Sequence, residues 1–134
     1  MRMLPSGYSP GSCEPATTPP RALAKIVCTH NGDPAGPTAA TYTLVAEKAS
    51  LRPLFDDLPR GSTIVTCPGN MQSPGPWGRN ATPQQVSGTL VCSYRDGLAA
   101  VTWTTEANLL VSDVHADRAG PALNQLYQWW SAHS

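Results

Sequence analysis

Six short stretches of the chain carry strand-like patterns, and two longer ones repeat with helical spacing. Residues 24–30 (AKIVCTH) and 41–46 (TYTLVA) come first; in the second, Tyr42, Leu44 and Ala46 share one face. Ser50 then stands where a helix cap belongs, and Leu51, Leu54, Phe55 and Leu58 follow at i, i+3, i+4 and i+7. Pro53 is tolerable in the first turn, and Pro59-Arg60-Gly61 ends the helix. The second half has four strand-like runs: 62–67 (STIVTC), 86–94 (VSGTLVCSY), 99–105 (AAVTWTT) and 109–116 (LLVSDVHA). In 86–94, Gly88, Leu90, Cys92 and Tyr94 alternate against Ser87, Thr89 and Ser93, and Asp96-Gly97 is a two-residue hairpin signal. Gly120-Pro121 opens a final helix, with Pro at the favoured first position. Leu123, Leu126, Tyr127 and Trp130 form its apolar stripe, which Trp129 widens.

Short connections between successive strands favour antiparallel pairing. The expected fold is therefore α+β: an antiparallel sheet of about five to six strands with two helices packed on one face, in the order ββα-ββββα. The turn cluster at 31–38, with Gly32, Pro34, Gly36 and Pro37, separates the first two strands. Residues 1–23 hold five prolines and read as an ordered coil tied down by Cys13. The whole of 1–134 is expected to form a single domain, because 134 residues leave no room for a second core.

Composition sharpens this picture. Charged residues make up 13%, about half the usual share, and 9 basic residues balance 9 acidic ones. Fourteen prolines and 11 glycines imply long irregular loops. Leu, Ile, Val and Phe number only 23, yet the zero net charge and the supply of Trp, Tyr and Ala favour a folded chain over a disordered one. A neutral balance with scattered basic residues gives no electrostatic footprint for nucleic acid or an acidic membrane. No apolar run approaches the ~20 residues that span a bilayer, so no direct membrane insertion is expected. Residues 1–5 lack the apolar core of a signal peptide.

Four cysteines, Cys13, Cys28, Cys67 and Cys92, are spaced by 15, 39 and 25 residues. None forms the close pair that a zinc site or a thioredoxin-like motif uses to present two thiolates from one turn. Two disulfides in an oxidising compartment fit this spacing better than four buried thiols in the cytosol. Of the three possible connectivities, Cys13–Cys28 and Cys67–Cys92 is favoured, each loop constraining the unfolded chain by roughly 3–3.5 kcal/mol. A disulfide-bonded domain without its own signal peptide suggests a segment of a longer, extracytoplasmic protein.

Three segments carry a resemblance: LPSGYSPGSC at 4–13, CPGNMQSPGPWGRNATPQQVSGTLVC at 67–92, and LNQLYQWWSAHS at 123–134. Together they resemble a small extracytoplasmic domain of mycobacteria, found at the C-terminus of membrane-spanning Ser/Thr protein kinases and in related single-span or secreted proteins. The resemblance implies a cell-wall-facing sensor or ligand-binding role in a membrane-anchored parent, with no catalytic residue to carry over. The kinase catalytic set itself is absent from the chain.

Enzyme chemistry finds little support, and no cofactor or metal is expected. Asp113 and His115 lie at i and i+2 of one strand and so share a face, where a solvated surface is the plain reading and a pH-sensitive binding pair the sharper one. Adding Ser112 or Ser93 would complete a triad on paper only, so a small hydrolase stays a remote alternative. The 18-residue loop 68–85 is the more informative element. It presents Met71, Trp77 and Arg79 on a proline-stiffened frame, a composition that suits a protein–protein contact or a stacked sugar ring. Trp77 serves equally as the loop's own anchor, which leaves Arg79 and the rim for contact. Trp129 is the candidate for partial exposure, since neighbouring helical positions diverge by ~100° and Trp130 already continues the stripe; its plain reading is a cover over the helix–sheet edge. The reading at this level is a non-catalytic extracytoplasmic sensor or ligand-binding domain with an unidentified cell-envelope ligand. A protein-interaction module of the envelope, such as a homodimer, is the alternative.

Overall fold

The computed structural model describes residues 11–18, 22–29, 31–32, 36–58, 62–68, 73, 75–78, 86–118 and 121–133. Its strands are β1 (Cys13–Pro15), β2 (Ala22–Thr29), β3 (Ala39–Val45), β4 (Thr63–Val65), β5 (Gly75–Trp77), β6 (Gly88–Arg95), β7 (Leu98–Thr105) and β8 (Leu110–His115). Helix α1 (Leu51–Asp57) follows β3, and α2 (Leu123–His133) follows β8. All eight strands form one antiparallel sheet in the order β1-β2-β3-β8-β7-β6-β4, with β5 also on β6. Two meanders, β1-β2-β3 and β6-β7-β8, thus meet where β3 pairs with β8 and Tyr42 stands opposite Ser112. The α+β class and the antiparallel pairing agree with the sequence reading.

Several finer expectations need correction. Eight strands replace five to six, because β1 forms inside the supposed N-terminal coil and β5 inside the supposed long loop. Each is three residues long, too short for periodicity to register. The order is accordingly βββα-βββββα.

The helices pack on opposite faces of the sheet, not on one. Along β6, Leu90 and Cys92 join the core beneath α2, while Val91 between them packs with Leu51 and Phe55 of α1. Along β8, Leu110 and Val114 face α2 and Val111 faces α1. Period-2 alternation therefore separates two apolar layers, and the central strands are buried on both sides.

Local chemistry explains the joints. Asp96 and Gly97 both take positive φ (52° and 80°), the left-handed pair that a type I′ hairpin requires. Ser50 does not cap α1 through its side chain, because a 3₁₀ turn at Lys48–Ser50 runs straight into the helix. Pro53 does sit in the first turn, as expected. Nor does Pro121 open α2. The backbone N–H of Ala122 donates to Gln125 Oε1 (3.1 Å) and the Leu126 N–H bonds back to Ala122 O (2.9 Å), which makes Ala122 the cap and Gln125 its capping-box partner. Gly88 is demanded by crowding: a β-carbon there would run into the Thr104 carbonyl oxygen.

Both disulfides join the expected partners. Cys13 and Cys28 are direct cross-strand neighbours with Cα atoms 4.0 Å apart, and Cys67 reaches Cys92 at 5.3 Å. All four sulfurs lie in the layer beneath α2. Among the described residues, no helix is long and apolar enough to cross a membrane.

Candidate functional site

The residues singled out from sequence do not gather into one site. Met71 and Arg79 lie outside the described residues. Trp77 is buried at 6% exposure. Its indole packs edge-on against Trp130 (centroids 5.5 Å apart), and its Nε1–H donates to Thr104 O at 2.8 Å. It occupies the anchor position. Trp129 is 3% exposed, which removes the partial exposure and leaves the plain reading of a covering side chain. The reason is geometric: Trp129 lies three residues past Leu126, only about 60° around the helix, and α2 is seated deeply enough to bury that arc as well.

Tyr127 remains half-buried beside Trp130 (5.3 Å), and desolvation raises its phenol above the usual 10.0. The unfolded chain gives up this proton first, so stability is full below about pH 10 and falls as pH climbs through the folded value. Denaturant melts from pH 8 to 11 should show this decline, with a shallower slope in Tyr127→Phe; an unaltered slope would remove Tyr127 as a contributor.

Asp113 is not on a solvated face. Its carboxylate is buried and bidentate with Arg95, Nη1 to Oδ2 at 2.7 Å and Nη2 to Oδ1 at 2.6 Å. The Thr102 hydroxyl donates to the same Oδ1 at 2.6 Å, and Arg95 Nε donates to Ser62 Oγ at 3.2 Å. Arg95 starts opposite Leu98 and ends on β8, so its side chain crosses β7, where Ala100 and Thr102 are small enough to lie beneath it. This clamp takes up the carboxylate that a pair with His115 would have used. Ser112 points the other way, into the layer beneath α2, alongside Leu110 and Val114. Ser93 and His115 flank Ala100 from β6 and β8, two strand spacings or about 9–10 Å apart at the backbone. A Ser-His-Asp triad is therefore not assembled from these side chains. Among the described residues, no three metal-ligating side chains cluster.

The opposite side of the same hairpin holds a groove. Because successive strand residues alternate, clamping Arg95 on the α1 side turns Tyr94 toward the α2 side. There Tyr94, the hairpin residues Gly97 and Leu98, the turn residues Asp117 and Arg118, and the start of α2 with Pro121, Leu123 and Gln125 enclose about 420 Å³. The Ala116 N–H bonds to Ala99 O (2.9 Å), which holds the turn against β7. No family model, curated protein or solved structure was found to match this chain. The groove's chemistry must speak for itself. A second cavity, about 190 Å³ on the α1 side, lies among Leu51, Arg52, Thr89 and Thr104 beside the Lys48–Glu106 ion pair (3.0 Å). The first lies within the 300–1,000 Å³ typical of ligand sites, and a third depression, at Ala46, Glu47, Ala49 and Ser50, has about 290 Å³.

Sequence reasoning missed the groove. Tyr94 enters the sequence reading only as part of a strand, and Asp117 and Arg118 fall between the last strand and the last helix with no role assigned. One usable signal was present: a charged turn followed at once by a helix start, on the strand that neighbours the Asp-Gly hairpin.

Proposed function

We propose that this chain is a non-catalytic, extracytoplasmic ligand-binding domain of sensor type, acting within a membrane-anchored parent protein. The observation that carries this reading is the ligand-sized groove at Tyr94, Arg118 and Gln125, walled by apolar Pro121 and Leu123. Two disulfides support the oxidising side of a membrane as its place of work. The sequence resemblance to kinase-associated sensor domains points the same way.

The test is a thermal-shift screen against soluble cell-wall fragments, short peptides and dispersed lipids. A ligand present at 100 times its Kd stabilises the native state by about 2.7 kcal/mol, a shift well above noise for a chain this size. One class should raise Tm in the native chain and not in Tyr94→Ser. A screen in which no class raises Tm, or in which the shift survives Tyr94→Ser intact, overturns the reading. A homodimer in sedimentation that resists every ligand class would favour an interaction module instead.

A further inference from the structure

The two edges of the sheet are built differently. β1 lies at one edge and carries Glu14 and Pro15, a charge and a residue without an N–H donor. Beside it the register of β2 shifts at the exposed Leu23. Charge, proline and a bulge are the usual means of keeping a sheet edge from pairing. β4 lies at the other edge and has none of them. It reads Thr63-Ile64-Val65, three β-branched residues without a charge, and Ile64 is 45% exposed.

The hairpin fixes which backbone groups β4 turns outward. Across its two-residue turn Arg95 and Leu98 exchange hydrogen bonds, so Arg95, Ser93 and Val91 direct their N–H and C=O groups to β7. Tyr94 and Cys92 direct theirs to the β4 side, and the Cys92 N–H accordingly donates to Ser73 Oγ at 2.7 Å. Thr63 stands opposite Tyr94 and pairs inward, which leaves the N–H and C=O of Ile64 pointing away from β6. An outward donor and an outward acceptor on one residue are self-complementary. A second β4, antiparallel and related by a two-fold axis at Ile64, exchanges both bonds with the first. That register sets the two Ile64 side chains side by side on the α1 face, and Thr63 opposite Val65 of the second copy, pairs of β-branched residues that stabilise strand contacts. With 9 basic and 9 acidic residues the copies carry no net charge to repel each other.

We infer that β4 is a homodimerisation edge, joining two copies of this chain into one continuous sheet. The symmetric pairing uses up β4 in both copies and β1 is blocked, so assembly ends at two. So short a strand makes a weak joint, with Kd of roughly 0.1–1 mM.

Sedimentation equilibrium from about 10 µM to 1 mM should show the mass rising from that of one chain toward twice it, with slower amide exchange at Ile64 at the upper end. Ile64→Lys sets like charges opposite each other, and Ile64→Pro removes the outward donor without touching the β6 ladder; each should weaken the dimer by more than about tenfold. Ile64→Val should stay within about threefold. Dilute melting of Ile64→Lys should match the native chain, and this variant carries the test alone if proline disturbs β4. A chain that stays monomeric to about 1 mM, or a dimer that either folded variant leaves intact, overturns the inference. So does a monomer that instead takes up a synthetic Thr-Val-Thr-Val-Thr peptide with slowed exchange at Ile64, which would make the edge a peptide-binding one. The groove opens on the α2 face, whereas Ile64 lies on the α1 face, so a failed ligand screen leaves this inference standing and a monomeric chain leaves the ligand-binding reading standing.

Discussion

Trp77→Ala is expected to lower the stability of the folded chain by about 3–5 kcal/mol, as deletion of a buried large aromatic does. Three interactions vanish together: the edge-on contact with Trp130, the bond from Nε1 to Thr104 O, and the pairing of β5 with β6 that the side chain secures. Burial at 6% leaves little water to replace them. Trp77→Phe should recover most of the ring contact while leaving the Thr104 carbonyl without its donor, at a cost of about 1–3 kcal/mol. Urea melts followed by far-UV dichroism, a probe independent of the lost indole, measure both. A Trp77→Ala melt within about 1 kcal/mol of the native chain would show that the indole is not part of the core.

The second large effect belongs to the clamp across β7. Asp113→Ala strands a guanidinium that is mostly covered, and breaking one member of a buried pair typically costs about 3–5 kcal/mol. Arg95 keeps 27% of its side chain in water, which eases that penalty toward about 2–4 kcal/mol. The double variant Asp113→Ala/Arg95→Met should lose less than the two single losses combined, because no charge is then left without its counterpart. Strict additivity in this cycle would mean that the two side chains do not interact.

How much of this was legible in the sequence depended on the length of the signal. The long strands, the Asp96-Gly97 hairpin and the α2 stripe announced themselves through sustained periodicity, and the cysteine pairing through spacing alone. The two three-residue strands could not, because each is defined by its partner: β1 by Cys28 and its neighbours on β2, β5 by the landing of Trp77. The two-faced burial of the sheet was readable in principle. Val91 sits between the polar Thr89 and Ser93 on one face of β6, and Val111 shares the β8 face of Asp113 and His115; α1 needs those valines. Asp113 misled for a different reason. A carboxylate in a strand is usually solvated, and its partner Arg95 lies 18 positions earlier on a strand that is not even adjacent. The groove is harder still, since it exists only once the 116–118 turn folds beside Tyr94.

The pairing of the cysteines has a bearing on assembly. Cys13–Cys28 closes inside the first meander, and Cys67–Cys92 closes on the second, so neither bond crosses the line where β3 meets β8. That line is held by backbone hydrogen bonds and by α1, under which Val45 from one side and Val91 and Val111 from the other are gathered. The N-terminal meander can therefore be oxidised before the C-terminal one has been synthesised, and a chain emerging from its N-terminus need never hold a cysteine open for a distant partner. The slow event left over is the docking of two already cross-linked halves, a non-local closure whose rate is set by topology and not by thiol chemistry.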